Sequence, residues 1–353
     1  ILPDKEQAAY FANDLEELFD EVEEDYTKKE VMFYPSTNKK PYSYDSTENA
    51  NIILRLETLN RINNGEHLMV VTYPEAIAEK VVSKKLLENN STTIKKGDEV
   101  SLDYLIDVLD EYNFDRVDFV TKSGEYAVRG GIVDVFSFSE QKPYRIEMMG
   151  DEVDSIRSFD IVSQMSIEEK TRLVIVPNLQ DKELTQENHI PFFSYFASDT
   201  IVWTKELGIV LDKVEKEYSL AEKVFDENTT LIKQMPVNEV YSTKKDIYDS
   251  LVKHSVVEVG NPYIKTNTKE IVYKTSLQPV FNKSFDLFEE KLESLTLDGY
   301  SNYFLVPDKK QKERIEKIID EFTKQEKIVK VSYLPFALSF GFIDEENKQS
   351  FFT

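Results

Sequence analysis

The chain contains no cysteine, only 10 glycines and only three histidines in 353 residues. The missing cysteine excludes disulfides, thiolate metal sites and cysteine nucleophiles, and it fits a reducing cytoplasm. His67, His189 and His254 are scattered. No pair has the spacing that sets two imidazoles on one helix face, so no zinc site is expected. Glycine is too sparse for the loops that cradle phosphate. No GxxxxGK followed by Ser or Thr occurs, and GxGxxG is absent as well, so NTP hydrolysis is not expected of these residues. The serines have no GxSxG elbow. No apolar run approaches the roughly 20 residues of a membrane span, and no signal peptide is present, so no membrane role is expected. The sequence opens on Ile1-Leu2-Pro3 and stops at Phe351-Phe352-Thr353; it reads as part of something longer.

Positive charge is the next scarcity. The formal net charge is −23, so most of the surface should repel nucleic acid, and any partner site must be local. With 66 acidic residues, neighbouring carboxylates are expected by chance, and a glycosidase-type pair is not inferred. Hydrophobic content of 41% and aromatic content of 12% describe a globular chain, and its length calls for two or three domains.

Helix and strand periods alternate in the first part. Residues 5–25 carry Phe11, Leu15, Leu18 and Val22 at helical steps. A strand at Val31–Tyr34 and a Pro/Ser/Asn loop at Pro35–Tyr44 follow. A second helix is expected to start near Ser46 or Thr47 and end at Gly65. His67–Thr72 reads as a buried parallel strand, and Pro74 suits the first turn of another helix. This order is an α/β layer. It resumes after Ser163. Ser166 with Glu169 reads there as a helix-capping box. Apolar strands follow at Leu173–Val176, Thr200–Thr204 and Ser255–Val259, with a helix near Asp212–Phe225. From about Asn282 a small βαβ-like unit is expected, with helices at Ser284–Leu295 and Lys309–Phe322 and strands at Asn302–Val306 and Ile328–Val331. The expected division is 1–79 with 164–278 as an α/β domain, 80–163 as a β-rich insert, and 279–353 as a small α/β domain.

Between a helix at Ser101–Tyr112 and Ser163 the period falls to two, the mark of an antiparallel meander. Four of the eight arginines lie there: Arg116, Arg129, Arg145 and Arg157. Alternation puts Tyr126, Val128, Val117, Phe119, Tyr144, Ile146 and Met148 inward. It puts Glu125, Ala127, Arg129, Arg116, Asp118, Arg145 and Glu147 outward. Arg157 receives no face. Arginine's planar fork suits bidentate capture of carboxylate. Cross-strand pairing within the sheet is the plain structural alternative.

The string GEYAVRGGIVDVF, followed by PYRIEMMGDEVDSIRSFD and SQMS, closely resembles the UvrB-homology region of bacterial transcription-repair coupling factors. HLMVVTYPEAI resembles that family's first domain. LQPVFNKSFDLFEEKL and the closing LPFALSFGFIDEENKQSFFT resemble its third domain and the segment after it. The resemblance is weak over 180–270. It implies a degenerate helicase-like (RecA-like) α/β domain without motor motifs, interrupted by an insert that docks UvrA, the damage-sensing ATPase of excision repair. Family positions that touch UvrA map onto Arg116, Arg129, Arg145 and Glu147, with Phe136 also a candidate. Ala127 stands where UvrB has an arginine, so the UvrB interface does not transfer contact for contact. The resemblance further implies that RNA polymerase, DNA, ATP and magnesium engage regions outside these residues, and that this region packs on the C-terminal part and restrains the translocase. Substitution at Arg129 or Arg145 is then expected to abolish UvrA binding and leave thermal stability nearly unchanged. Two rival readings stand beside it: the N-terminal part of the UvrB excinuclease subunit, and a scaffold with no docking role.

Overall fold

The computed structural model describes residues 1–20, 30–37, 41–42, 49–84, 91–138, 140, 142–177, 189–228, 235–265, 268–281, 284–324 and 328–353. The expected helix caps at Ser46 and Thr47, the end of the first helix and the boundary at Asn282 lie outside the described residues. The fold is mixed α/β with several small sheets. It divides into two compact units, Ile1–Ala8 with Met32–Tyr263, and Ala9–Val31 with Ile264–Thr353.

In the first unit the α/β layer is assembled from remote pieces. The strands Ile201–Lys205 and Ser255–Val259 pair in parallel. Tyr34 donates its N–H to the Val71 carbonyl at 2.8 Å. Two residues join these ladders: Leu2 donates its N–H to the Thr72 carbonyl and Lys205 donates its N–H to the Ile1 carbonyl, both at 3.0 Å. A helix at Asn49–Asn63 and a short one at Pro74–Ala78, with proline in its first turn, accompany the layer. The helix Leu207–Asn228 packs on Pro74–Ala78. Lys244–Leu251 starts at a reciprocal capping box between Thr243 and Asp246, a signal overlooked in the sequence.

The chain leaves this layer through Val81–Val82 and returns through His189–Ile190, and these two strands pair antiparallel. Thr92–Lys95 pairs antiparallel with Arg172–Ile175. The expectation that Leu173–Val176 begins a return to an α/β alternation is therefore replaced by an antiparallel clasp at the base of the insert. Beyond the clasp lies a six-stranded sheet: β1 (Asp115–Arg116), β2 (Glu125–Arg129), β3 (Ile132–Val135), β4 (Tyr144–Met149), β5 (Glu152–Phe159) and β6 (Ser166–Lys170), in the order β6-β5-β4-β3-β2-β1. From β2 onward each strand is antiparallel to the next, whereas β1 runs parallel to β2.

The capping box expected at Ser166 and Glu169 does not form, because Ser166–Lys170 is the strand β6. The turn before it decides this. Asp160 accepts hydrogen bonds on Oδ1 from the Ser163 N–H at 2.7 Å and hydroxyl at 2.8 Å. Gln164 takes φ +58°, and the reversed chain pairs with β5 instead of coiling. The β2–β3 hairpin turns on Gly130 and Gly131. Gly130 sits at φ +62°, and a Cβ on Gly131 would lie 2.9 Å from the Met148 carbonyl oxygen, so the first needs glycine for conformation and the second for close approach.

The second unit is built on a five-stranded sheet in the order Thr275–Leu277, Phe342–Asp344, Gln349–Phe352, Ser301–Leu305, Val331–Leu334. Ser301–Leu305, the helix Lys309–Lys324 and Val331–Leu334 form the expected parallel βαβ turn. Its core gathers Leu292, Leu295, Phe304, Val306, Ile319, Ile343 and Phe352. Among the described residues no helix is long and apolar enough to cross a membrane.

Candidate functional site

Both faces of the six-stranded sheet are partly covered, which two-residue alternation alone does not reveal. One face buries Tyr126, Val133, Val135, Ile146, Val153 and Ile156. Tyr126 donates its hydroxyl hydrogen to Asp110 Oδ1 at 2.6 Å, on the helix Leu102–Glu111 that Ser101 caps. The opposite face was expected to be open. Half of it is instead a small second core of Val120, Ala127, Phe136 and Phe159, with Val117 and Ile161 against it. Ala127 is thus buried, not outward, because the segment after β1 folds back over β2. Glu125, also expected outward, is buried and fastens that segment. Its Oε2 accepts the N–H groups of Thr121 and Lys122 at 2.8 and 3.1 Å and the Thr121 hydroxyl at 3.0 Å. Burial works against its charge, but these bonds prevail and hold its pKa below the ordinary value.

Beyond this second core the same face becomes charged. Residues directly opposite across the strands run Ala127, Asp134, Arg145, Arg157, Glu169 in one row and Arg129, Ile132, Glu147, Ser155 in the next. Asp134 is 1% exposed and is the hub. Arg145 grips it in a fork, Nε to Oδ1 at 2.7 Å and Nη2 to Oδ2 at 2.9 Å. Arg129 donates to the same Oδ2 from the other side. The Arg145 fork alone gives each oxygen of this buried carboxylate a charge-assisted partner, and Arg129 adds a further bond. The Arg145 guanidinium also lies 4.6 Å from the centre of the Phe159 ring and donates Nη1–H to the Gln164 carbonyl at 3.2 Å. Its hydrogen bonds to Asp134 raise its pKa, against the opposing effect of burial.

Arg145 and Arg157 face each other directly, an arrangement of like charges that needs a counter-ion on each side. Asp134 serves the first. Glu147 serves the second, accepting from Arg157 on Oε1 and from the Ser155 hydroxyl on Oε2 at 2.9 Å. Arg157, which alternation left without a face, therefore belongs to this surface. A β-bulge after Glu147 shifts the β4–β5 register, so counting by twos from the hairpin loses track of the strand.

The surface thus brings together three of the five expected residues, Arg129, Arg145 and Glu147, and adds Asp134 and Arg157. Arg116 does not join them. It is opposite Tyr126 in the parallel β1–β2 pair, on the other face of the sheet. Phe136 is 5% exposed and belongs to the second core; packing accounts for it. Arg129 is the most accessible member, with its side chain 39% exposed against 17% for Arg145. Its guanidinium sits 5.2 Å from the ring centre of Phe119, itself 59% exposed although expected inward. Across the sheet, Val162 and Met165 are also exposed, in the turn whose Gln164 holds Arg145. An exposed arginine on a fixed carboxylate, beside an open aromatic ring, can offer both charge-assisted and apolar contacts to another molecule. Among the described residues no cluster of His, Cys, Asp and Glu could hold a metal ion.

Arg145 is far less free than expected. Replacing it with Glu sets a second acid against buried Asp134, so that substitution is not neutral for the fold.

Residues 92–180 match the family model described as UvrB interaction domain, a span that contains the whole six-stranded sheet and its clasp. The chain is 31% identical over 160 residues to the transcription-repair-coupling factor of Escherichia coli K12, covering 45% of this chain and 14% of that protein. It is 37% identical over 123 residues to the one from Bacillus subtilis 168, covering 35% and 10%. It is 22% identical over 248 residues to the one from Staphylococcus aureus RF122, covering 70% and 19%. The chain thus matches between about a tenth and a fifth of the length of these relatives. The resemblance to transcription-repair-coupling factors, carried in the sequence by the β2–β5 strings, is shown by these matches.

Proposed function

We propose that this chain is a protein-interaction region acting in transcription-coupled DNA repair, and that the charged face of its six-stranded sheet recruits UvrA. The observation that carries the reading is the cluster in which Arg129 and Arg145 share buried Asp134, placed inside the segment that matches a UvrB interaction domain. Asp134 fixes both guanidinium groups before any partner arrives. Preorganised arginine loses little conformational freedom on binding, and its unspent N–H groups suit carboxylates of a partner. Arg129 is the residue best placed to make that contact, with Phe119 beside it. Arg145 positions the acid, and Glu147 with Arg157 extends the patch.

The surrounding layer reads as a helicase-like α/β scaffold in which the insert stands; the parallel pairing of Ile201–Lys205 with Ser255–Val259 supports this. We assign these residues no ATP, magnesium or catalytic role. RNA polymerase, DNA and the ATP-driven translocase are assigned to a longer polypeptide of the kind the relatives represent, whose C-terminal part this region would pack against and restrain.

The test is a titration of purified UvrA against the 353-residue chain and its Arg129→Ala variant. Truncation of a desolvated arginine at an interface costs roughly 2–5 kcal/mol, so the Kd should rise at least thirtyfold while the unfolding midpoint barely moves. Unchanged affinity in a folded variant would overturn the reading.

A further inference from the structure

A second arginine cluster lies in the α/β layer, at the root of the insert. A cavity of about 50 Å³ opens there between the helix Asn49–Asn63 and the paired strands Val81–Val82 and His189–Ile190. That volume is several times the roughly 10–15 Å³ that one water needs. Its polar wall is Tyr34, Arg55, Lys80 and His189; Ile52, Leu56, Leu59 and Val81 make an apolar wall.

The polar wall is incompletely satisfied. Tyr34 is fully buried, yet among the described residues its hydroxyl has no hydrogen-bond partner, and neither has His189 Nδ1. Arg55 is 6% exposed. It commits Nη1 to the carbonyls of Pro35 and Ala76 and to Glu79, and its other N–H groups have no partner among the described residues. Glu79 is already engaged elsewhere. Its two oxygens already accept the Thr37 N–H, the Thr37 hydroxyl and Arg55. Buried polar atoms without partners are uncommon and call for an occupant.

Charge selects that occupant. Arg55 and Lys80, whose Nζ also donates to the Asn238 carbonyl at 2.6 Å, bring two positive charges to this wall, and Glu79 pairs with the first. Burial first, then Lys80 and Arg55, hold the His189 imidazole below its ordinary pKa, so at neutral pH it offers a neutral donor or acceptor. One excess positive charge, several open donors and an apolar wall fit a monoanion with a small hydrocarbon body.

We propose that this cavity binds a short-chain carboxylate of formate or acetate size, held by Arg55, Lys80, Tyr34 and His189. Bound there, it ties the helix Asn49–Asn63 to the strands through which the chain enters and leaves the insert. The assignment stands apart from the docking surface and does not depend on it.

The experiment measures the unfolding midpoint of the 353-residue chain as sodium acetate replaces sodium gluconate at constant ionic strength. Gluconate is too large to enter, and constant ionic strength removes the general salt response of an acidic protein. A ligand that binds only the folded state raises the midpoint progressively above its Kd. The expected result is an acetate-specific rise of a few degrees, absent from the Tyr34→Phe and Lys80→Gln variants. Each of these keeps the Arg55–Glu79 pair and should fold. No acetate-specific rise, or an equal rise in both variants, would overturn the proposal.

Discussion

Arg55 and Arg145 each hold a buried carboxylate, and their surroundings set them apart. The Arg55–Glu79 pair is enclosed, with side chains 7% and 9% exposed. Backbone groups of Pro35, Thr37 and Ala76 complete it, and Tyr34 lies under the guanidinium at 4.4 Å. Asp134 is equally buried, but its arginines reach the surface, one by 17% and the other by 39%. Burial on both sides makes an ion pair a joint of the fold. Burial of the acid alone makes it an anchor that presents arginine outward. This contrast separates scaffold from proposed docking surface more sharply than the distribution of arginines along the chain.

The largest effect that tests the contrast belongs to the enclosed pair. Arg55→Ala leaves Glu79 charged and buried without its counter-ion, which costs about 3–5 kcal/mol. Denaturant unfolding should show a large fall in midpoint, or no folded protein at all. A loss below about 1 kcal/mol would place the pair with ordinary surface bridges and dissolve the distinction.

Arg145→Glu comes next. Asp134 would keep Arg129 but face a new carboxylate, so a loss of roughly 2–4 kcal/mol is expected, with Arg129→Ala below about 1. UvrA titrations should rank the same two variants differently: both bind poorly, but only Arg129→Ala does so as a fully folded protein. Comparable destabilisation by the two would remove the separate positioning role given to Arg145.

Several elements of this surface were legible before the structure. Alternation in EYAVR and YRIEMM marks strands, and Ser101 marks a helix start. The missed features share a physical cause: each depends on a partner remote in sequence. Ala127 is inward only because Val117 and Val120 fold over it. Arg157 gains its face only through a bulge in its own strand's pairing with β4. Ser166 has the sequence of a helix cap, but β5 offers a ladder that a single capping box does not match. In the layer, Ile1 and Leu2 show no strand period, yet they close a gap between strands about 70 and 200 positions away. Asp134 was overlooked for another reason. One acid among 66 stands out only when it is seen buried opposite Arg145 and diagonal to Arg129.

A smaller test compares the two clusters by extending to Glu140, a carboxyl in neither of them. It follows β3 and accepts the Tyr144 hydroxyl at 3.0 Å. Burial, with the nearby charge of Glu57 adding to it, raises its pKa to about 7. The folded state therefore binds a proton that the unfolded chain has released above its ordinary carboxyl pKa of 4.5. Between those two values stability falls as pH rises, and above about pH 7 the penalty is complete. Glu140→Gln keeps an acceptor for Tyr144 and has no charge to bury. Its stabilisation over the parent chain should be small at pH 5 and largest near pH 8, read as the difference in unfolding midpoint. A difference that is flat with pH, or that grows on acidification, would show that Glu140 is ionised in the folded protein across this range.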